Sequence, residues 1–73
     1  MTISEFEQQL ASMELKIYTS EDHYYVDDLD DHRYAYVSKN CRFVVDTNTD
    51  WFKALKTKKR KRLFNILMEF AVT

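Results

Sequence analysis

The chain contains no glycine and no proline among its 73 residues. At usual frequencies of about 7% and 5%, losing both is expected on the order of once in ten thousand chains of this length. Phosphate-binding loops, dinucleotide-binding fingerprints, nucleophile elbows and standard EF-hand loops all need glycine where the backbone turns left-handed or approaches a ligand. The sequence therefore excludes these sites. Its turns must use Asn, Asp and Ser, which tolerate the left-handed region or form Asx-turns.

The length and composition predict a single small domain over residues 1–73. Apolar residues make up 45% of the chain and charged residues 32%, which is typical of a folded domain rather than a disordered tail. Five Phe, five Tyr and one Trp can each bury about 150–250 Å². Aromatic side chains are therefore expected to supply much of the core.

The cysteine count and the hydropathy pattern favour the cytoplasm. Cys41 is the only cysteine, which excludes an internal disulfide and a cysteine-cluster zinc site. The first residues carry acid rather than base, so no secretory signal is expected. The longest apolar run, residues 63–72, contains Asn65 and Glu69 and is shorter than the roughly 18 residues that span a membrane.

Helical patterns lie at both ends of the chain. Thr2 and Glu5 have the spacing of a capping box, and the apolar stripe behind them predicts a helix over residues 3–12. Asp50 is predicted to cap a short helical turn, and Thr57 to cap the C-terminal helix. The C-terminal helix repeats apolar residues at helical spacing, namely Leu63, Ile66, Leu67, Phe70 and Ala71.

The middle of the chain predicts antiparallel strands. The segments ELKIYT, HYYVD, RYAYV and RFVVDT are rich in aromatic and β-branched residues, with turns predicted at 20–22, 27–31 and 39–40. A tight Lys39–Asn40 turn would pair Val37 with Arg42, Tyr36 with Phe43, Ala35 with Val44, Tyr34 with Val45 and Arg33 with Asp46. We therefore expect an α+β fold, in which a short N-terminal helix, a three- or four-stranded antiparallel sheet and a C-terminal helix pack together, with the helices on one sheet face.

The segment KTKKRKR, residues 56–62, places six cations at the start of the C-terminal helix. Cations there are unfavourable by about 0.3–1 kcal/mol each, because a helix N-terminus already carries partial positive charge. The compensating anion could be the chain's own acidic residues, an acidic protein surface or nucleic acid. Against nucleic acid, the net charge is −1, the aromatic residues are not interleaved with the basic run, and no standard motif is present.

An equally dense acidic segment includes Asp27, Asp28, Asp30 and Asp31. It is either a hairpin loop without glycine or an anionic patch that fits a basic groove on a partner. His23 and His32 nearby suggest a metal site. However, the segment lacks the glycine and the twelfth-position glutamate of a calcium loop, and its histidine spacing fits no zinc signature. No metal or other cofactor is expected.

No catalytic set is evident in the sequence. Cys41, between Asn40 and Arg42, could have a lowered thiol pKa, but the pattern favours a small apolar residue at a strand end. No other nucleophile lies beside a candidate base, so we expect no enzymatic activity. Five tyrosines lie along the strands and are expected mainly to pack within the sheet: Tyr18, Tyr24, Tyr25, Tyr34 and Tyr36. The alternate ones among them must face outward, where tyrosine is favourable for an interface.

The C-terminal half, residues 34–73, contains four marked segments: AYVSKN, VVDTN, the Phe52 and Leu55 pair, and KRLFNILMEFAVT. In these segments the chain resembles small uncharacterised proteins encoded in phages and prophages of Gram-positive bacteria. It implies an accessory phage protein that acts in the bacterial cytoplasm by binding a host or phage protein. Some proteins of this kind inhibit defence systems, including CRISPR effector nucleases.

These observations together predict a non-enzymatic protein-binding module, an inhibitor of a host nuclease. In this hypothesis the acidic turn enters a basic nucleic-acid channel, while the basic helix start contacts an acidic rim or bound RNA. The predicted contact residues are Asp27, Asp28, Asp30, Asp31, Lys58, Lys61 and Arg62. Two alternatives stay open: a nucleic-acid-binding regulator that uses residues 56–62, and a structural phage component that forms homodimers through outward tyrosines and Trp51.

Overall fold

The computed structural model describes residues 1–40 and 44–72. Cys41, which was predicted to be a small apolar residue at a strand end, therefore lies outside the described residues. The elements are α1 (Ile3–Ala11), β1 (Leu15–Thr19), β2 (His23–Asp28), β3 (Arg33–Ser38), β4 (Val45–Asp46), α2 (Asp50–Ala54) and α3 (Thr57–Ala71). The strands form one antiparallel sheet in the order β1-β2-β3-β4. The predicted α+β fold is confirmed.

The helix α1 starts at the predicted capping box. The Glu5 amide donates to Thr2 Oγ1 at 3.2 Å, and the Thr2 amide donates to Glu5 Oε1 at 3.0 Å. The helix ends at Ala11, one residue before the predicted end. Backbone donors of the first turn are thus satisfied by side chains, as an exposed helix start requires.

The predicted caps of the other two helices are wrong by one residue each. The N-cap of α2 is Thr49, whose hydroxyl accepts from the Phe52 amide at 3.1 Å and donates to the Tyr34 carbonyl at 2.8 Å. This bond to β3 fixes the start of α2, so Asp50 is its first residue. The N-cap of α3 is Lys56, which makes no side-chain capping bond.

The core lies between the sheet and the two longer helices. Phe6 and Leu10 of α1 and Leu63 and Leu67 of α3 are fully buried. The Phe6 ring also stacks on Phe70, with centroids 4.1 Å apart. Each buried side chain of this size contributes about 1.5–3 kcal/mol by leaving water. These contacts hold both helices on the same face of the sheet.

The predicted register between β3 and β4 is wrong by three residues. Tyr36 pairs with Asp46 and Val37 pairs with Val45. The predicted partners of Ala35, Tyr34 and Arg33 are therefore incorrect, and the predicted pairs of Arg42 and Phe43 lie outside the described residues. Because three is an odd number, the side chains of β4 exchange faces, which leaves Val44 exposed instead of opposite Ala35.

Turn chemistry explains the different register. A two-residue hairpin loop needs positive φ at its central residues, usually Asn-Gly, yet the described residues with positive φ are Glu14 and Asp31. The Lys39 amide instead donates to the Asp22 carbonyl at 2.9 Å, and Asn40 Nδ2 donates to Asp22 Oδ1 at 3.1 Å. The β3–β4 connection is longer than predicted and is tied to the β1–β2 turn.

A bulge between β2 and β3 changes which side chains face the helices. Asp27 pairs with Arg33, while the residue before Asp27 pairs with Ala35, so Tyr34 is the extra residue. Ala35 is buried and Tyr34 packs against the same core. Arg33 lies on the opposite face, over the ring of Tyr25. Bulges re-aim side chains in this way by adding one unpaired residue to a strand.

Candidate functional site

The molecule separates its charges along the chain. Residues 14–50 contain nine carboxylates and four cations, whereas residues 51–73 contain seven cations and one carboxylate. The first segment includes the sheet, and the second includes α3 and all of α2 after Asp50. Although the net charge is only −1, the sheet is therefore acidic and the C-terminal helices are basic. Two surfaces of opposite sign attract different classes of partner.

Strand alternation divides the predicted acidic contact residues between the two sheet faces. Asp27 pairs with Arg33 on the face without helices, and Asp31 pairs with Lys16 at 2.6 Å. Asp28, one residue after Asp27, lies on the helix side and accepts from the Tyr34 hydroxyl at 3.3 Å. The four aspartates therefore do not form one continuous patch.

Asp27 is the most buried of these residues, with 4% of its surface exposed. Its Oδ1 accepts from Arg33 Nε at 3.0 Å, and its Oδ2 from Arg33 Nη2 at 3.4 Å. The bond to Asp27 raises the pKa of the Arg33 guanidinium, although desolvation opposes the shift. A buried, paired carboxylate cannot contact a partner without losing this pair. Asp27 therefore orients Arg33 and is not exposed for a contact of its own.

Asp28 organises the turn between β2 and β3. Its Oδ1 accepts from the amides of Asp30 and His32, both at 2.9 Å, and its Oδ2 lies 2.9 Å from His32 Nδ1. Desolvation opposes ionisation, yet these hydrogen bonds hold the pKa of Asp28 below its ordinary value. Asp28 thus stabilises the turn as an Asx-type acceptor, while Asp31, with a φ of 65°, takes the left-handed conformation for which glycine is commonly used.

Three potential metal ligands meet at this turn. Ligand atoms of Asp28, Asp30 and His32 lie within 4.8 Å of one another. The hydrogen bonds of the turn already account for the position of Asp28, and the His32 ring stacks on Trp51 with centroids 3.9 Å apart. The turn is therefore explained as a structural element.

The face of the sheet opposite the helices carries an aromatic surface, which we call the tyrosine face. It consists of Tyr18, His23, Tyr25, Arg33 and Tyr36. Tyr18 is 59% exposed, and the Arg33 side chain is 45% exposed. The Arg33 Cζ lies 3.8 Å from the centroid of Tyr25, within the range of a cation–π interaction. The ion pair with Asp27 and the cation–π contact with Tyr25 thus hold the Arg33 side chain in place on this face.

Carboxylates border the tyrosine face. Asp46 accepts from the Tyr36 hydroxyl at 3.0 Å, and this bond raises the pKa of Tyr36. The Asn48 amide and then the Tyr36 hydroxyl hold the pKa of Asp46 below its usual value. Asp31 is exposed beside Lys16 at the far end of β1. The Asp46 carboxylate therefore stays ionised at neutral pH and favours basic groups in a partner.

The basic run occupies the first half of α3. Lys58 and Lys61 are exposed, whereas Arg62 Nη2 donates to Ser12 Oγ at 2.9 Å and so contacts the end of α1. Within residues 1–40 and 44–72, no ion pair joins this run to the acidic turn. Lys59 only shares a cleft of about 410 Å³ with Asp28 and Asp30. The internal charge balance that the sequence suggested is not made by direct ion pairs here.

The strand pattern predicts an interface of outward tyrosines but does not predict Arg33 among them. Strict alternation would put Arg33 on the same face as Ala35 and Val37, and the bulge reverses this. Trp51, expected beside the outward tyrosines, instead contacts His32 and Tyr34 at the end of the sheet. Neither the bulge nor the position of Trp51 has a signal in the linear pattern.

Comparison of the chain with protein-family models, with curated proteins and with solved structures found no match. Among the residues that the structure describes, no helix has the length and apolar character needed to cross a membrane.

Proposed function

We propose that this chain is a non-enzymatic binding module that docks its tyrosine face on a basic protein surface. The observation that carries the proposal is a helix-free sheet face on which Tyr18 is mostly exposed and Arg33 is fixed by Asp27 and Tyr25. Tyrosine and arginine are enriched among the residues that dominate binding energy. Side chains already held in place lose little entropy on binding, which favours affinity.

The chemistry of the partner follows from the border of this face. Tyrosine rings attract guanidinium and ammonium groups, and Asp46, which accepts from the Tyr36 hydroxyl, supplies a carboxylate beside them. A protein groove that binds nucleic acid presents arginines and lysines to the phosphates. Occupation of that groove would block the nucleic acid, so the proposed consequence is inhibition of a nucleic-acid-binding protein. Its phage origin and a defence nuclease as target stay predictions from the resemblance.

A defined peptide tests the surface before any partner is known. A short peptide of alternating Arg and Ser is titrated into the ¹⁵N-labelled chain, with a Glu–Ser peptide of the same length as control. We expect amide shifts at residues 18, 25, 33 and 36, and Tyr18→Ser should weaken binding by roughly tenfold. The matched control is Phe64→Ser, which also removes a half-exposed ring but lies on α3. Equal losses in the two variants, or shifts confined to α3, would contradict the proposal.

The natural partner is then sought in nuclease-treated lysate of a Gram-positive bacterium. The wild-type chain and Phe64→Ser should retain the same protein, and Tyr18→Ser should lose it. Charge reversal of Lys58, Lys61 and Arg62 should leave the capture largely intact. Light scattering separates the remaining alternative, because a homodimer that buries Tyr18 would show a mass that rises with concentration and would overturn this proposal.

A further inference from the structure

A second surface lies between α2 and α3, and none of the residues of the tyrosine face lines it. It is an open cleft of about 480 Å³. Aromatic, cationic and neutral polar side chains line it, and they come from the loop after β4 and from both helices. The lining residues are Thr47, Phe52, Arg60, Lys61, Phe64 and Asn65. No carboxylate lines the cleft among the residues that the structure describes. The cleft therefore offers an apolar surface inside a field of positive charge.

Phe64 supplies an exposed aromatic ring at this cleft. It is 44% exposed, whereas its neighbour Leu63 is fully buried in the core. Phe52, which is 7% exposed, closes the cleft from the side of α2. A large exposed apolar ring gains little for the fold, because burial rather than exposure stabilises it. Phe64 lies beside two cations, Arg60 and Lys61, and the stability of the fold does not explain this position.

The cations of the cleft belong to the basic run. Arg60 and Lys61 precede Phe64 by four and three residues, so the three side chains share one side of α3. Arg60 Nη1 donates to the Lys53 carbonyl at 3.4 Å, which holds the guanidinium over the end of α2. Linear sequence suggested that aromatic residues are not interleaved with this run, but the helix places Phe64 among its cations.

We propose that the α2–α3 cleft is a subsite for single-stranded nucleic acid. One base stacks on Phe64, and the adjoining phosphates lie against Arg60 and Lys61. The exposed ring favours a nucleic-acid strand over an acidic peptide, because every base presents a face that can stack on an aromatic side chain. It favours a single strand over a duplex, since the bases of a duplex are already stacked on one another. Thr47 and Asn65 also line the cleft and carry groups that can form hydrogen bonds.

Fluorescence anisotropy with a labelled oligothymidine tests this subsite on the full chain. Lys61→Glu and Phe64→Leu should each weaken binding by roughly tenfold, and Phe64→Trp should retain it, because tryptophan preserves stacking. Lys39→Glu is the matched control, since Lys39 is exposed on the β3–β4 connection and does not line the cleft. If about three phosphates are neutralised, affinity should fall roughly 20-fold between about 50 and 200 mM salt. Circular dichroism melting checks that each variant is folded.

Three results would overturn the proposal. The first is a Phe64→Leu variant that binds the oligonucleotide as tightly as the wild type. The second is equal affinity for oligothymidine and for a duplex of the same length, which would mean charge attraction without stacking. The third is binding of a Glu-rich peptide that contains phenylalanine but not of the oligonucleotide. Tyr18→Ser does not change this cleft, so that variant should bind the oligonucleotide as the wild type does. This result would show that the subsite is independent of the proposed protein-binding face.

Discussion

Arg33 connects Asp27 to the ring of Tyr25 across the helix-free face of the sheet. Its Nε lies 3.0 Å from Asp27 Oδ1, and its Cζ lies 3.8 Å from the centroid of Tyr25. One end of this arrangement is buried, since Asp27 is nearly inaccessible, and the other end is half-exposed. The same side chain therefore satisfies a buried carboxylate and presents a cation on the proposed binding face.

The unequal burial of this pair predicts unequal effects of mutation. Arg33→Ala leaves the buried Asp27 carboxylate without its partner and should lower the free energy of unfolding by about 1–3 kcal/mol. Asp27→Ala leaves only the half-exposed Arg33, which water can solvate, and should cost about 1 kcal/mol or less. Urea unfolding of both variants measures the difference. A larger loss in Asp27→Ala would contradict the assigned burial.

Neighbouring positions on α3 should respond very differently to truncation. Leu67→Ala removes a fully buried side chain and should destabilise the fold by about 2–5 kcal/mol, much of the stability of a domain this small. Phe64→Ala removes a half-exposed ring and should cost about 1 kcal/mol or less. Thermal unfolding followed by circular dichroism compares them. Similar melting temperatures would show that α3 packs on the sheet with another face.

Asp28 predicts a specific dependence of stability on pH. Hydrogen bonds from His32 and Asp30 hold its pKa below the unfolded value, against desolvation. A lowered pKa means that ionised Asp28 stabilises the fold above about pH 4, and that this contribution is lost as pH falls through the folded pKa. Asp28→Asn should therefore be less stable than the wild type at neutral pH.

The test is the difference in unfolding free energy between Asp28→Asn and the wild type, followed from about pH 7 to about pH 2. The difference should narrow as the wild-type carboxyl becomes protonated. Asp30→Asn is the control, because the Asp30 carboxylate is exposed and only its amide bonds in the turn. A difference that stays constant with pH would mean that the charge of Asp28 is not what stabilises the turn.

The fold was predictable where local chemistry determines it. The Thr2–Glu5 capping box, the alternation of β1 to β3 and the apolar stripe of α3 all predict the elements that form. The β3–β4 register was not predictable, because it depends on hydrogen bonds from Lys39 and Asn40 to Asp22, which is distant in sequence. When a tertiary contact determines the register, the order of apolar and polar residues in the strands does not reveal it.

The candidate site also combines features that the sequence predicts with features that depend on tertiary packing. The sequence indicated outward tyrosines and separated charges, and both features are present in the structure. It could not indicate that Asp27 is buried by Arg33, since strand alternation without the bulge places Arg33 on the helix side. It also could not place Phe64 beside Arg60 and Lys61 in a cleft with Phe52, because α2 and α3 must first pack together.

The absence of glycine leaves one strained position that a substitution can relieve. Glu14 follows α1 with a φ of 60°, in the left-handed region that disfavours residues with a Cβ. Glu14→Gly should raise the free energy of unfolding by about 0.5–1 kcal/mol. Asp31 also has positive φ, at 65°, but aspartate tolerates this region and Asp31 pairs with Lys16. Asp31→Gly should therefore gain less, and an equal gain at both sites would contradict this explanation.

The start of α3 is a second position where the natural residue is not the most stable one. Lys56 provides no side-chain cap, and the first turn of α3 contains no acidic residue. Lys56→Asp should stabilise the chain by about 1 kcal/mol, because aspartate caps a helix and its charge opposes the helix dipole. Lys56→Ser separates the two effects, since serine caps without adding negative charge.

Lys56→Asp and Lys56→Ser should also differ from each other in their affinity for oligothymidine. Lys56→Ser removes one cation near the α2–α3 cleft and should weaken binding only slightly, whereas Lys56→Asp should weaken it more while melting at a higher temperature. Such opposite changes in stability and affinity would indicate that the basic run is retained for binding rather than for folding. If Lys56→Asp instead lowered the melting temperature, Lys56 would have to stabilise α3 through a contact that its position as N-cap does not explain.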